Sequence, residues 1–143
     1  MFEKSCGTIP YTIKDNSIYY LLVKTKNNKY CGFPKGHVER SESEEDTAFR
    51  ETLEETSVSV AINGGFRREI TYKLNSGNDK TVVYFLAYFR DQSPTRNGDF
   101  EDFEYLLLTF DDAYQALTFD NTKQILKEAN EFLIDGTKNA SLV

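Results

Sequence analysis

The segment from residue 43 to residue 57 constrains this chain more than any other. It is strongly acidic, is made of good helix formers, and contains neither glycine nor proline. Runs of a different kind lie on both sides of it. Cys6 to Ile13 and Ile18 to Thr25 are rich in Ile, Val, Leu, Thr and Tyr, with a turn at Lys14-Asp15-Asn16-Ser17 between them, which predicts two strands. Lys26-Asn27-Asn28-Lys29 reads as a second turn leading into Tyr30 to Phe33, stopped by Pro34. After the acidic segment, strand character returns at Val58 to Ile62, Phe66 to Leu74 and Thr81 to Phe89, with a hairpin signal at Asn75-Ser76-Gly77-Asn78-Asp79. Residues 91–99 read as a surface loop, Phe103 to Phe110 as a strand and Asp111 to Leu117 as a short helix. Thr122 to Ile134 predicts a longer helix, with Ile125, Leu126, Ala129, Phe132 and Leu133 on one side. Gly136 is its expected stop, with 137–143 a frayed tail. One helix inserted among strands and another at the end predict an α/β (α+β) chain: a mixed sheet between helices, in a single domain over 1–143.

Within the acidic segment, Ser41 stands three residues before Glu44, the spacing of a capping box at a helix start. Ala48, Phe49, Thr52 and Thr56 recur at helical spacing and are expected to face a core. On that helix Glu51 shares a face with Glu54 and Glu55, where like charges cost a few tenths of a kcal/mol per pair, roughly. A solvated acidic face is the ordinary explanation. Two features point elsewhere. Only Arg50 lies within the cluster to offset three carboxylates, and the turn Phe33-Pro34-Lys35-Gly36-His37-Val38-Glu39 runs directly into the helix. Gly36 lets the backbone approach a ligand or take a positive φ. Converging carboxylates are what a hard cation such as Mg²⁺ wants.

The overall charge sharpens this. Lys and Arg number 17 against 23 Asp and Glu, a formal net charge of −6. That is a poor match for duplex DNA, whose phosphates each call for a Lys or Arg, but cations on carboxylates reverse the local sign. A single His excludes His-rich metal sites, and Cys6 and Cys31 form no metal-ligand spacing. No apolar run is long enough for a membrane span, and the first residues lack the pattern of a secretory leader. A cytoplasmic protein with free thiols and no membrane partner is expected.

Gly36, five residues, Glu42, seven residues, Arg50-Glu51, two residues and Glu54-Glu55 resemble the signature of the Nudix hydrolases, with the box occupying residues 36–58. Thr52 stands where an aliphatic residue is usual, and Ser57 where a second glycine is usual. The stretches Phe33 to Glu39, Gly65 to Tyr72 and Lys80 to Ala87 are similar to the asymmetric diadenosine tetraphosphate hydrolase branch of that family. Arg40-Ser41 replaces a Pro-Gly common there.

The resemblance implies a Nudix fold, an α/β/α sandwich, and a metal-dependent enzyme acting on acid anhydrides. It implies that Glu51, Glu54 and Glu55, with the backbone carbonyl of Lys35, ligate Mg²⁺ (or Mn²⁺). Glu42 would hold a metal-bound water or steady the loop, and Arg50 would orient the carboxylates. The base is Glu55, Glu51 or a carboxylate from residues 101–104, Glu101 first and Glu104 second. Lys35, His37 and Lys80 would contact the phosphate chain, and Tyr84, Tyr72 and Phe119 are candidates to stack on adenine. The expected reaction is asymmetric cleavage of diadenosine tetraphosphate to ATP and AMP, by a monomer or weak dimer. Alternatives are an RNA 5′-pyrophosphohydrolase acting on a short RNA 5′ end, another nucleotide or nucleotide-sugar pyrophosphatase, and a non-catalytic nucleotide-binding Nudix module. The complete set Glu42, Glu51, Glu54 and Glu55 weighs against the last.

Overall fold

The computed structural model describes residues 2–27, 29–90, 92–94 and 103–141, with the backbone alone for residue 2 and for 137–141. The strands are β1 (Phe2–Lys14), β2 (Ser17–Thr25), β3 (Cys31–Gly32), β4 (Lys35–His37), β5 (Ala61–Lys73), β6 (Asp79–Tyr88) and β7 (Phe103–Leu108). The helices are α1 (Glu44–Thr56), α2 (Phe110–Ala116) and α3 (Asp120–Ser141). All strands join one mixed sheet. β1 runs through its middle, parallel to β6 on one side. On the other side it is antiparallel first to β4 through residues 5–7 and then to β2 through residues 11–14. Pro10 falls in the gap between those two pairings, where a missing N–H removes no ladder bond.

Strand alternation assigns the two faces. On β6, Val83 and Phe85 pack with Cys6 and Ala48 under α1. Their neighbours Val82, Tyr84 and Leu86 pack with Ile9, Tyr20, Leu22 and the buried residues of α2 and α3. The result is the α/β/α sandwich. No helix among the described residues is long and apolar enough to cross a membrane.

The turn expected at Lys14-Asp15-Asn16-Ser17 is present: Asp15 and Asn16, both at positive φ, make the two-residue hairpin between β1 and β2. Other sequence expectations need correction. β4 was read as part of a turn; its three residues become a strand only because β1 offers them an edge thirty positions away in the chain. Val58–Ile62 and Phe66–Leu74 are not separate strands: β5 runs continuously from Ala61 and absorbs Gly64 and Gly65 in a bulge between Asn63 and Arg67. Gly136 does not stop α3, which continues through it to Ser141. Phe132, expected on the buried side, is 38% exposed and packs edge-on against Phe66.

Candidate active site

Helix α1 is started by Ser43, not Ser41. The Ser43 hydroxyl accepts from the Asp46 amide and the Asp46 carboxylate accepts from the Ser43 amide, a complete capping box. Ser41 instead takes a left-handed conformation with φ 61° in the loop before it. The buried side of α1 is Thr47, Ala48, Thr52 and Thr56, with Phe49 left 37% exposed. Thr52, which replaces the usual aliphatic residue, uses more than its methyl. Its hydroxyl donates to the Ala48 carbonyl at 2.8 Å and shares a buried 2.7 Å hydrogen bond with the Thr8 hydroxyl of β1. Ser57 adopts φ 63°, ψ 14° at the helix exit, so the left-handed exit survives without the glycine. Its Oγ is buried with no hydrogen-bond partner among the described residues.

Arg50 organises the acidic face. Its guanidinium donates twice to Glu42, at 2.7 and 3.0 Å, and also to Glu51 at 2.8 Å, Glu54 at 3.2 Å and the His37 carbonyl at 3.0 Å. This is the fork geometry at which Arg exceeds Lys. Glu42 further accepts from the Glu39 amide and the Thr47 hydroxyl. These bonds, that of Arg50 foremost, hold its carboxyl down to about 2.

Gly36 takes no positive φ. Its role is close approach: a side chain there would overlap the carboxylate of Glu51. Gly7 does the same on β1, where a Cβ would overlap the Pro34 carbonyl and lift β4 away. The two glycines let β4 (Lys35–His37) lie between β1 and the α1 carboxylates. The backbone amide of Lys35 then donates to Glu55 at 3.1 Å. Glu55 sits deeper than its neighbours, and the Tyr105 hydroxyl donates to its carbonyl at 2.7 Å. Burial pushes the Glu55 carboxyl up to about 7, with the charges of Glu51 and Glu54 adding to the rise.

This donor set fits a hard divalent cation. Glu51, Glu54 and Glu55 offer only oxygens, and burial, with the charges of Glu51 and Glu54, raises the Glu55 carboxyl, a shift that a cation beside it would oppose. Among the described residues no three such groups already converge as a finished cage. Glu51 and Glu54 are turned onto Arg50, and Glu55 onto the Lys35 amide. The amide of Lys35 is its hydrogen-bond contact with this cluster.

Beyond Lys35 opens a cavity of about 300 Å³ on the α3 side of the sheet. Tyr72, Phe119, Tyr84 and Lys35 all line it. Phe119 is 53% exposed, with Tyr30 tilted against its ring, and Tyr72 is 39% exposed, so both present ring surface to the cavity; Tyr84 is 1% exposed, packs edge-on against Phe33, and forms the floor. Lys80 is placed otherwise than a free phosphate clamp. It is buried, and its ammonium donates to the Ser5 hydroxyl at 2.6 Å and lies 3.2 Å from His37 Nε2. Burial and the Lys35 charge lower its pKa. His37 is exposed, with Glu3 at 3.5 Å from the same ring nitrogen. Glu101 lies outside the described residues. Glu104 is exposed and, by strand alternation, faces away from Phe103 and Tyr105.

Sequence reasoning missed Tyr30, Asn121 and Thr122 in the cavity wall. It also missed Thr47, Thr8 and Tyr105 behind the carboxylates. Tyr30 alone left a signal, as an aromatic residue just before the Pro34-Lys35 turn.

A carboxylate helix of this design on an α/β/α sandwich defines a hydrolase class, and the chain matches the NUDIX domain over residues 7–129. It belongs to the Nudix family and is a hydrolase. It is 34% identical to the asymmetrical bis(5′-nucleosyl)-tetraphosphatase of Sus scrofa, over 93% of this chain and 97% of that protein. The RNA pyrophosphohydrolase of Sulfurovum sp. (strain NBC37-1) is 29% identical over 82% of this chain and 83% of its own length. Among solved structures, a C. elegans Ap4A hydrolase binary complex superposes with a TM-score of 0.83 at 23% identity, over 93% of this chain and 98% of that one.

Proposed function

We propose that this chain cleaves diadenosine tetraphosphate asymmetrically to ATP and AMP, with Mg²⁺ or Mn²⁺ held by Glu51, Glu54 and Glu55. The observation that carries this reading is the placement of the aromatic cavity (Tyr72, Phe119) next to the carboxylate end of α1, with Lys35 between them. A base stacked in the cavity leads its phosphate chain past the Lys35 ammonium toward Glu55. The likeness to the Sus scrofa enzyme supports the same substrate.

A bound divalent cation would lower the pKa of a coordinated water, polarise the phosphoryl group and offset its developing charge. The chain's own residues do the rest. Arg50 fixes Glu42, Glu51 and Glu54 relative to the His37 carbonyl. Glu55, in its carboxylate form and oriented by the Lys35 amide, accepts the proton of the attacking water. Lys35 draws the polyphosphate in, and Tyr72 and Phe119 hold the base.

A substrate panel with and without Mg²⁺ tests the proposal. ATP plus AMP from diadenosine tetraphosphate supports it, and two ADP counts against it. Pyrophosphate released from triphosphorylated RNA, with no turnover of the dinucleotide, replaces it with the activity of the Sulfurovum relative.

A further inference from the structure

A second cavity, of about 290 Å³, adjoins the first. The two share Tyr30 and Lys35 as common walls. Glu55 borders the second cavity, and its remaining surface comes from Val23 and Thr25 of β2, Phe33, and Phe103 of β7. Phosphate needs cations, amides and hydroxyls. Val23, Phe33 and Phe103 supply none of these, and Thr25 spends its hydroxyl on Asn27 and the Tyr30 backbone. Among the described residues, Lys35 is the only ammonium in that wall. A phosphate chain therefore accounts for the junction but not for the apolar half. The Tyr30 hydroxyl lies against Gly32, where a Cβ would overlap it. It has no hydrogen-bond partner among the described residues, which leaves a donor available at the junction. Phe103 is half-buried, and the β2–β7 ladder sets its backbone opposite Thr25, which puts an aromatic side chain in the wall of the second cavity.

We propose that this second cavity is the subsite for the other nucleoside of a dinucleoside polyphosphate, with Phe103 against its base and Tyr30 and Lys35 on the phosphate bridge. This rests on the hydrolase reading above and deepens it. The molecule holds two apolar chambers with a cationic neck, and the substrate has two bases with an anionic neck. Cleavage beside Glu55 would then fall off the centre of the bridge, next to the nucleoside in the second chamber.

The experiment compares kcat/KM for diadenosine tetraphosphate and adenosine 5′-tetraphosphate, which lacks the second nucleoside, in the wild type, Phe103→Ala, Phe103→Tyr and Phe119→Ala, with Mg²⁺. The ratio of the two constants is independent of how much of a variant folds. Phe103→Ala should lower that ratio about tenfold through KM, the loss of one stacked base. Phe103→Tyr should restore it, and Phe119→Ala should weaken both substrates and leave the ratio within about twofold. An unchanged ratio in Phe103→Ala overturns the subsite. If the wild type hydrolyses neither compound, the proposed function fails by itself. The subsite is then decided by calorimetric Kd values for the same two compounds and variants, read by the same ratio.

Discussion

Ser57→Gly should stabilise this protein. Ser57 ends α1 with φ 63°, a conformation that costs a residue with a Cβ about 1–2 kcal/mol. Its hydroxyl is also buried without a partner among the described residues, worth about 1 kcal/mol or more. Glycine relieves both, while its extra freedom in the unfolded chain returns about 0.4–1 kcal/mol. The net gain is about 1–2 kcal/mol, which for a domain of this size raises Tm by about 3–6 °C. The cap bond from the Ser57 amide to the Leu53 carbonyl, 2.8 Å, is backbone and persists. Differential scanning calorimetry of the metal-free protein gives the shift directly. A Tm equal to or below that of the wild type would refute the strain argument and mean that the Ser57 hydroxyl makes a stabilising contact. Ser41, also at positive φ, should respond in the same direction but by less, because it is exposed and hides no orphaned hydroxyl.

Three further outcomes follow from the site. Thr52→Val strands the buried Thr8 hydroxyl and should cost about 1–3 kcal/mol in urea unfolding, much of it recovered in the Thr8→Val/Thr52→Val double variant; simple additivity of the two losses would contradict the pairing. Arg50→Lys removes the forked bonds to Glu42 and the links to Glu51, Glu54 and the His37 carbonyl, and should lower kcat/KM about 10- to 100-fold; wild-type kinetics would show that Arg50 does not position the carboxylates. Glu55 has a folded-state pKa near 7, raised by burial, so the folded state binds its proton more tightly than the unfolded one. Its contribution to metal-free stability therefore falls as pH rises from about 4.5 to 7. The Tm advantage of Glu55→Gln over the wild type in EDTA should grow across that window, and a gap that shrinks instead would contradict the burial argument.

What the sequence made legible, and what it hid, divides by locality. The fold of β1, β2 and β6 and the existence of α1 could be read because alternation, turn residues and helix formers act within a few positions. The carboxylate set was legible because Glu51, Glu54 and Glu55 are neighbours on one helix whatever surrounds them. β4 was not, since Lys35–His37 become a strand only against β1. Nor was the capping residue: Ser41 has the capping-box spacing to Glu44, yet Ser43 caps the helix, and that choice depends on the loop conformation that delivers Glu42 to Arg50. Continuation of α3 past Gly136 runs against local propensity. The cavity walls were hidden for the same reason as β4, because Tyr30, Tyr72 and Asn121 come from three remote segments. Lys80 was expected on the phosphate chain; its burial against Ser5 depends on pairings that register β1, β4 and β6 together.

The central claim is that the buried end of the α1 carboxylate cluster performs phosphoanhydride hydrolysis, and the turnover of diadenosine tetraphosphate by Glu55→Gln in saturating Mg²⁺ tests it most directly. Glutamine keeps the shape and an acceptor for the Lys35 amide, so circular dichroism and Tm should report an intact fold. The expected kcat falls at least about a hundredfold with that fold preserved. Wild-type turnover by a folded Glu55→Gln protein would place the chemistry elsewhere.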